Sequence, residues 1–155
     1  MEMYSLDKDL KIKKKGNKKC QARTFAMIKP DAYKHIGKII SAIEREGFVI
    51  SNIRMTRMRP EDAQQFYAEH QVSNFTKFKG KSFYEGLISF MTSGRVLGLE
   101  LIADDAIKRW RRLIGPTNCF KAREEAPNSL RALYGTDGTQ NACHGSDSGK
   151  YIINR

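Results

Sequence analysis

The sequence predicts an α+β sandwich in which helices cover a four-stranded antiparallel sheet. Short apolar or alternating runs, typical of strands, occur four times, and stretches with apolar residues at helical spacing lie between them. The order along the chain is strand, helix, strand, helices, strand, helix, loop and strand, which fits this architecture. A chain of 155 residues is long enough for one domain with its own hydrophobic core.

The first strand and helix begin after a polar segment. Arg23–Lys29 is a short apolar run closed by Pro30-Asp31, which predicts a buried strand that ends in a turn. Gly47 marks the end of the next helix, because glycine is common just after a last helical turn. The apolar face of this helix consists of Ile36, Ile39, Ile40 and Ile43.

The middle of the chain predicts a second strand and two helices separated by a long loop. Phe48–Met58 is rich in residues that favour strands. The first helix begins at Pro60–Asp62, since proline is tolerated in a first turn and acids oppose the positive end of the helix dipole. A polar stretch at Val72–Lys81 predicts an enlarged loop, and the second helix ends at Ser93-Gly94. One face of the predicted second strand would carry Val49, Ile53 and Met55.

The rest of the chain predicts a third strand, a helix, a loop-rich region and a fourth strand. Leucine occupies every second position from Leu97 to Leu101 within Arg95–Ile102, which predicts the strand. Gly115-Pro116 ends the helix that follows this strand. The region 117–138 is predicted to be mostly loop, with a short helical piece near Ser129–Tyr134. The fourth strand is predicted at Thr139–Cys143 and would lead directly into a histidine.

Composition and charge limit the function classes. The net charge of +11 and the pI near 9.7 favour contact with polyanions, such as nucleotides or nucleic acid. Part of this charge lies in a basic N-terminal extension, residues 1–22, for which a solvated tail is the simpler explanation. No groove-reading or base-stacking module accompanies it. Three cysteines without zinc spacing predict reduced thiols, and no apolar run resembles a signal peptide or membrane span, which predicts a cytoplasmic protein.

Asn141–Ser148 is the segment that is richest in chemistry. It places the imidazole of His144 beside small and hydroxyl-bearing residues, just after the predicted fourth strand. A neutral imidazole can attack phosphorus directly when an acceptor keeps its other ring nitrogen protonated. The segment is equally compatible with a plain turn in which Ser146 and Asp147 cap backbone groups, and taken alone it favours that turn.

Five further polar residues lie at the ends of elements or in loops, where pockets form. Phosphoryl transfer needs cations and hydrogen-bond donors around the transferring group, since its equatorial oxygens carry the charge in the transition state. One lysine, two arginines, a threonine and an asparagine meet this need. They are Lys29, Arg111, Thr117, Arg131 and Asn141.

Four motifs resemble, in order and spacing, those of nucleoside diphosphate kinases. Each motif alone is modest, but the four together are specific, and the resemblance covers about four-fifths of the chain. It is strongest toward the divergent branch of the family exemplified by nucleoside diphosphate kinase 7. The motifs are Arg23–Asp31, Gly115–Asn118, Ser129–Gly135 and Asn141–Ser148.

The resemblance implies a ferredoxin-like fold and a ping-pong exchange, in which His144 carries the terminal phosphate from a nucleoside triphosphate to a diphosphate. It implies that Tyr67 touches the catalytic region, that Ser146 supports the histidine, and that Phe83 stacks on the base, which gives broad nucleotide specificity. Asp147 would help to hold hydrated Mg²⁺ on the phosphates, and a homo-oligomer is expected. Phosphates or sugar would be contacted by Lys29, Arg111, Thr117, Arg131 and Asn141.

Simpler interpretations compete with several of these roles. Phe83 and Tyr67 lie on apolar helical faces and fit core positions. Arg111 fits a solvated helix face, and Lys29 fits a charge at the end of a strand. Two other histidines lack a surrounding motif and fit ordinary surface or helix positions, namely His35 and His70.

The sequence departs from the family pattern in three places. Val72–Lys81 is longer than the usual connection and adjoins Phe83, and Cys119 stands where relatives commonly have proline. The domain, residues 23–155, is expected to be short at its C-terminus, without the usual glutamate that bonds the imidazole. Three hypotheses follow: an active kinase, a nucleotide-binding or scaffolding module with weak or no turnover, and nucleic-acid binding through the lysine-rich extension.

Overall fold

The computed structural model describes residues 21–69 and 82–146. Within them, one antiparallel sheet has the strand order β2-β3-β1-β4. Its strands are β1 (Gln21–Ile28), β2 (Val49–Arg57), β3 (Arg95–Asp104) and β4 (Cys143–Gly145). A 3₁₀ helix at Pro30–His35 joins β1 to α1. The α-helices are α1 (Ile36–Arg45), α2 (Pro60–Glu69), α3 (Ser82–Thr92), α4 (Ala106–Ile114), α5 (Cys119–Glu125) and α6 (Leu130–Tyr134).

Helices cover the sheet on two faces, as predicted for an α+β sandwich. Leu97, Leu99 and Leu101 of β3 are at most 3% exposed and pack in one cluster with side chains of α1 and α4. Met27 and Val96 belong to a second cluster with side chains of α2 and α3. Successive residues of a strand face opposite sides, so β1 and β3 supply both clusters. Among residues 21–69 and 82–146, none of the helices combines the length and the hydropathy of a membrane span.

The pleat of β2 differs from its prediction. A bulge follows Ile50 and shifts the register against β3. Val49 pairs with Ile102, whereas Ile53 pairs with Leu99, and these two partners lie on opposite faces of β3. The predicted common face for Val49 and Ile53 is therefore wrong, because one extra residue moves a side chain to the other face.

The region before β4 is more helical than predicted. Asn118 begins α5, because its Oδ1 accepts hydrogen bonds from the backbone N–H groups of Phe120 (2.9 Å) and Lys121 (3.2 Å). An asparagine before a run of good helix formers is a start signal that the loop prediction overlooked. The short helix predicted near Ser129–Tyr134 is confirmed by α6.

The fourth strand is shorter and later than predicted. β4 comprises only Cys143–Gly145, and His144 lies opposite Met27 of β1. The predicted strand at Thr139–Cys143 is wrong, because Ala142 has a φ of +64°, which a strand cannot accommodate. His144 thus lies within the strand and not in a turn after it.

Some predictions fall outside the described residues. They concern the N-terminal extension up to residue 20, His70, the enlarged loop at Val72–Lys81, Asp147 and the end of the chain. The roles given to these residues stay predictions.

Candidate active site

A cleft of about 670 Å³ opens where the end of β1, the helices and β4 converge. This volume lies in the range of small-molecule binding sites. Ser146 is 2% exposed at the end of β4 and is not among the lining residues, and its backbone N–H donates a 3.3 Å hydrogen bond to the carbonyl of Phe25. The lining residues include eight that the sequence singled out: Lys29, Tyr67, Phe83, Arg111, Thr117, Arg131, Asn141 and His144.

Lys29 lies at the floor of the cleft. It follows β1, is 6% exposed, and donates from Nζ to Oδ1 of Asn141 at 2.7 Å and to the carbonyl of Thr139 at 3.2 Å. Burial, and then the nearby Arg131 guanidinium, lower the pKa of Lys29 to about 8. Lys29 does follow the end of a strand, but its burial and its hydrogen bonds show that it is not a solvated surface charge.

Arg131 joins the loop after α4 to β4. It is 9% exposed on α6, and its guanidinium donates to the carbonyl of Gly115 at 2.8 Å and to that of Cys143 at 3.0 Å. A longer contact of 3.4 Å reaches Oγ1 of Thr117. Burial lowers the pKa of Arg131, yet an arginine stays charged at neutral pH. A second fixed cation therefore stands in the cleft wall.

His144 is held from several sides. Its carbonyl accepts a 3.2 Å hydrogen bond from Nε1 of Trp110, and its ring meets Phe66 edge to face, with 5.0 Å between centroids. Phe25 lies further away, at 6.5 Å. Nε2 of the imidazole is buried. A Cβ at Gly145 would lie 3.0 Å from Trp110, so a larger residue there would require the indole to move slightly.

A strained turn leads from Asn141 into β4. The N–H of Cys143 donates a 2.7 Å hydrogen bond to the carbonyl of Asn141, across Ala142 with its positive φ. The N–H of Ala142 donates to Oδ2 of Asp31 at 2.9 Å, and its carbonyl accepts from the N–H of Lys29 at 2.8 Å. Burial raises the pKa of Asp31. Asp31 was not predicted as a site residue, since Pro30-Asp31 indicated only a turn.

The upper walls of the cleft are partly exposed. Phe83 is 52% exposed, so its interpretation as a core residue is wrong. Tyr67 is 4% exposed and belongs both to the core cluster of α2 and α3 and to the cleft, and burial raises the pKa of its phenol. Arg111 is exposed on α4 and faces the same cleft. The cleft thus combines two buried cations, Lys29 and Arg131, with the exposed ring of Phe83.

Several lining residues were not predicted. Arg112 follows Arg111, and a basic pair at the end of a helix gives no sign of which member faces a cleft. Glu125 was missed together with α5, which it ends. His35 stacks on Tyr134 with 4.7 Å between ring centroids and is not a lining residue, in agreement with its ordinary interpretation.

The charges of the cleft suit a polyanion. Its lining carries four cationic side chains and one carboxylate, Glu125. Cations within a low-dielectric wall attract phosphates more strongly than the same charges in water. The described residues contain no cluster of three or more side chains that could hold a metal ion. The lining cations are Lys29, Arg111, Arg112 and Arg131.

Comparison with known proteins agrees with this arrangement. The family model "Nucleoside diphosphate kinase" matches residues 22–153. The chain is 44% identical over 128 residues to the nucleoside diphosphate kinase of Aquifex aeolicus, across 81% of this chain and 84% of that protein. This chain is also 46% identical to nucleoside diphosphate kinase homolog 7 of Rattus norvegicus, over 126 residues that make up 81% of this chain.

Solved structures are similar as well. A crystal structure of the Aquifex aeolicus nucleoside diphosphate kinase has a TM-score of 0.74 at 42% identity, and covers 84% of this chain and 89% of that one. A Halobacterium salinarum nucleoside diphosphate kinase in complex with CDP has a TM-score of 0.69 at 35% identity, with 84% and 80% covered. The chain spans only 30% of the rat and mouse homolog 7 proteins. From the matched model, the identity to the Aquifex protein and the shared ferredoxin-like fold, the chain belongs to the nucleoside diphosphate kinase family.

Proposed function

We propose that this chain transfers the terminal phosphate of a nucleoside triphosphate to a nucleoside diphosphate through phospho-His144. The observation that carries this proposal is that His144 lines the same cleft as Lys29 and Arg131, two buried cations. In the first step a ring nitrogen attacks the γ-phosphorus, and the P–O bond to the departing diphosphate breaks as the P–N bond forms. In the second step an oxygen of the acceptor's terminal phosphate attacks phosphorus, and the P–N bond breaks to restore the imidazole.

The buried edge of the imidazole suggests which nitrogen reacts. Nε2 is buried, so we assign the attack on phosphorus to Nδ1. The T-shaped contact with Phe66 and the hydrogen bond from Trp110 to the histidine carbonyl limit the orientations that the ring can adopt. A fixed orientation matters because a reacting atom must approach phosphorus in line. Ser146, the next residue but one, would support this environment from the end of β4.

The cations of the cleft would stabilise the transferring group. Lys29 is protonated below pH 8, and Arg131 and Arg111 add charge from two other elements. Removing one such preorganised donor typically costs about 3 kcal/mol of transition-state stabilisation. Tyr67 stays a phenol, because burial raises its pKa, and so could donate a hydrogen bond. Thr117 and Asn141 would contribute neutral donors.

The nucleoside would lie toward the mouth of the cleft. Phe83 offers an exposed ring on which a base can stack, and stacking accepts every base. Broad nucleotide specificity follows. Mg²⁺ would enter as part of the nucleotide and offset the charge of its phosphates, with Asp147, outside the described residues, expected to hold it through water.

A homo-oligomer and a cytoplasmic location complete the proposal. β2 is an edge strand of the sheet, and Val49, Ile53 and Met55 are 49–60% exposed on it. An edge strand with exposed apolar side chains is a natural site for pairing with a second copy. Sedimentation would test this. The wild type should be an oligomer and the Ile53→Lys variant should dissociate, whereas a monomeric wild type would contradict the proposal.

Labelling with γ-phosphate-labelled ATP tests the central claim. The wild type should carry acid-labile phosphate, the His144→Ala variant should not, and the His35→Ala variant, changed at a histidine outside the cleft, should label normally. Labelled protein should then pass its phosphate to CDP. Equal labelling of the wild type and His144→Ala would contradict the proposal. If ADP raised the melting temperature of the wild type but the wild type did not become labelled, the chain would be a nucleotide-binding module without turnover.

A further inference from the structure

A residue in a costly backbone conformation stands two positions before His144. Ala142 has a φ of +64°, in the left-handed region that residues other than glycine rarely adopt. The 2.7 Å hydrogen bond from the N–H of Cys143 to the carbonyl of Asn141 spans it and makes the segment a γ-turn with positive φ, the rare and strained class. Such strain persists only where the surroundings over-determine the conformation.

The strained residue is held at both of its backbone polar groups. The N–H of Ala142 donates to Oδ2 of Asp31 at 2.9 Å, and its carbonyl accepts from the N–H of Lys29 at 2.8 Å. Both partners come just after β1, and Asp31 is 111 positions away in sequence. Only the folded chain can therefore impose this restraint.

The carboxylate of Asp31 is costly at this place. Its Oδ1 is buried and has no hydrogen-bond partner among residues 21–69 and 82–146. Burial raises the pKa of the carboxyl, which means that the charged form is disfavoured there. A group selected only for stability would not leave a buried oxygen unpaired. The other oxygen, Oδ2, accepts the N–H of Ala142, and this hydrogen bond joins the carboxylate to the strained turn.

We propose that Asp31 is a positioning residue that holds the γ-turn at Ala142 and thereby aims the imidazole of His144 into the cleft. β4 is three residues long, so the turn directly sets the first peptide of the strand that carries the histidine. Relaxation of Ala142 to a negative φ would rotate that peptide and displace His144 from the cations around it. A displacement of about 1 Å at a reacting group can cost on the order of 100-fold in rate.

Three variants separate the hydrogen bond from the charge. Asp31→Ala removes the acceptor, and we expect His144 phosphorylation by saturating ATP to slow about 10- to 100-fold, with ADP affinity within about threefold of wild type. Asp31→Asn keeps an acceptor without charge and should stay close to the wild-type rate. Ala142→Gly in the Asp31→Ala background should restore the rate, because glycine adopts positive φ without strain.

A second comparison does not use the Asp31→Ala single variant, which could fold poorly. In the Ala142→Gly background, Asp31 should become dispensable, so the single glycine variant and the double variant should react equally fast. Asp62→Ala is the matched control, because Asp62 also accepts a backbone N–H, that of Arg59 at 3.1 Å, at the exposed start of α2. The proposal is overturned if Asp31→Ala reacts as fast as wild type, if the glycine does not rescue it, or if Asp31→Asn is as slow as Asp31→Ala.

The inference rests on the proposed phosphohistidine chemistry, and one measurement keeps the two apart. Hydrogen exchange of the Ala142 amide reports the hydrogen bond to Asp31 without any turnover. It should speed up in Asp31→Ala and stay slow in Asp31→Asn. Fast exchange in the wild type would refute the restraint even in an active enzyme, whereas slow exchange in a wild type that never becomes phosphorylated would refute the proposed function alone.

Discussion

Nζ of Lys29 lies 2.7 Å from Oδ1 of Asn141, across 112 positions of sequence. This contact joins the end of β1 to the turn before β4, and the backbone N–H of Lys29 binds the carbonyl of Ala142 in the same place. The two strands β1 and β4 are neighbours in the sheet, so their ends bring a cation, an amide and the histidine into one cleft. Because Lys29 is a buried cation that lines this cleft, we expect its charge state to affect the binding of an anionic ligand.

Nucleotide affinity should fall as the pH rises above 8. Burial lowers the pKa of Lys29 to about 8, and bound phosphate favours the protonated form, so binding takes up a proton above that pH. The affinity of ADP should drop by up to tenfold per pH unit in the wild type. A Lys29→Arg variant, which stays charged, should lack this drop, as calorimetry from pH 6.5 to 9.5 would reveal. An identical decline in both proteins would assign the effect to another group.

Loss of the Phe83 ring should weaken nucleoside binding. Phe83→Ala should reduce the affinity for ADP by about 1–3 kcal/mol, the usual contribution of a base stacked on an aromatic ring. Phe120→Ala is the matched control, because Phe120 is similarly exposed at 61% but does not line the cleft. Fluorescence titration with ADP would compare the two. Equal affinities for both variants would remove Phe83 from the base site.

Arg131 should stabilise the fold as well as bind phosphate. Arg131→Met would leave the carbonyls of Gly115 and Cys143 without their donor, and we expect the free energy of unfolding to fall by about 2–4 kcal/mol. Arg112→Met removes an exposed cation from the same cleft and should change it by less than about 0.5 kcal/mol. Urea denaturation measures both. Similar midpoints would mean that the buried hydrogen bonds contribute little.

Phe66 should affect the chemistry of His144 more than nucleotide binding. Its ring meets the imidazole edge to face at 5.0 Å, a contact of about 1 kcal/mol. Phe66→Leu should slow phosphorylation of His144 about tenfold with little change in ADP affinity, and Phe66→Tyr should preserve the rate. Ile88→Ala, in the same apolar cluster, controls for lost stability. Rapid-quench labelling gives the rates, and a slow Phe66→Tyr variant would argue against a role for the ring contact.

The outline of the fold could be predicted because local hydrophobic patterns indicate most of its strands and helices. Leu97, Leu99 and Leu101 alternate, and their burial on one face of β3 follows from the pleat. The bulge after Ile50 could not be predicted, since nothing local favours it and only pairing with β3 defines it. α5 could have been found from Asn118, its capping residue.

The candidate site was foreseen from motifs, but its working geometry was not. His144, Lys29 and Arg131 stand in recognisable segments, and all three line the cleft. Asp31 and Ala142 carry no comparable signal, because a hydrogen bond across 111 positions and a positive φ at an alanine arise only when β1 and β4 lie side by side. The position of His144 within a strand likewise depends on the pairing of β4 with β1.

Hydrophobic periodicity along the chain was sufficient to predict the α+β architecture, and the order of four motifs was sufficient to recognise the family. The burial of Lys29, which lowers its pKa, and the contact of Asp31 with the strained turn before His144 appear only in the folded chain. Burial, electrostatic coupling and backbone strain depend on distances between segments that are remote in the chain. Those distances exist only once the sheet has formed.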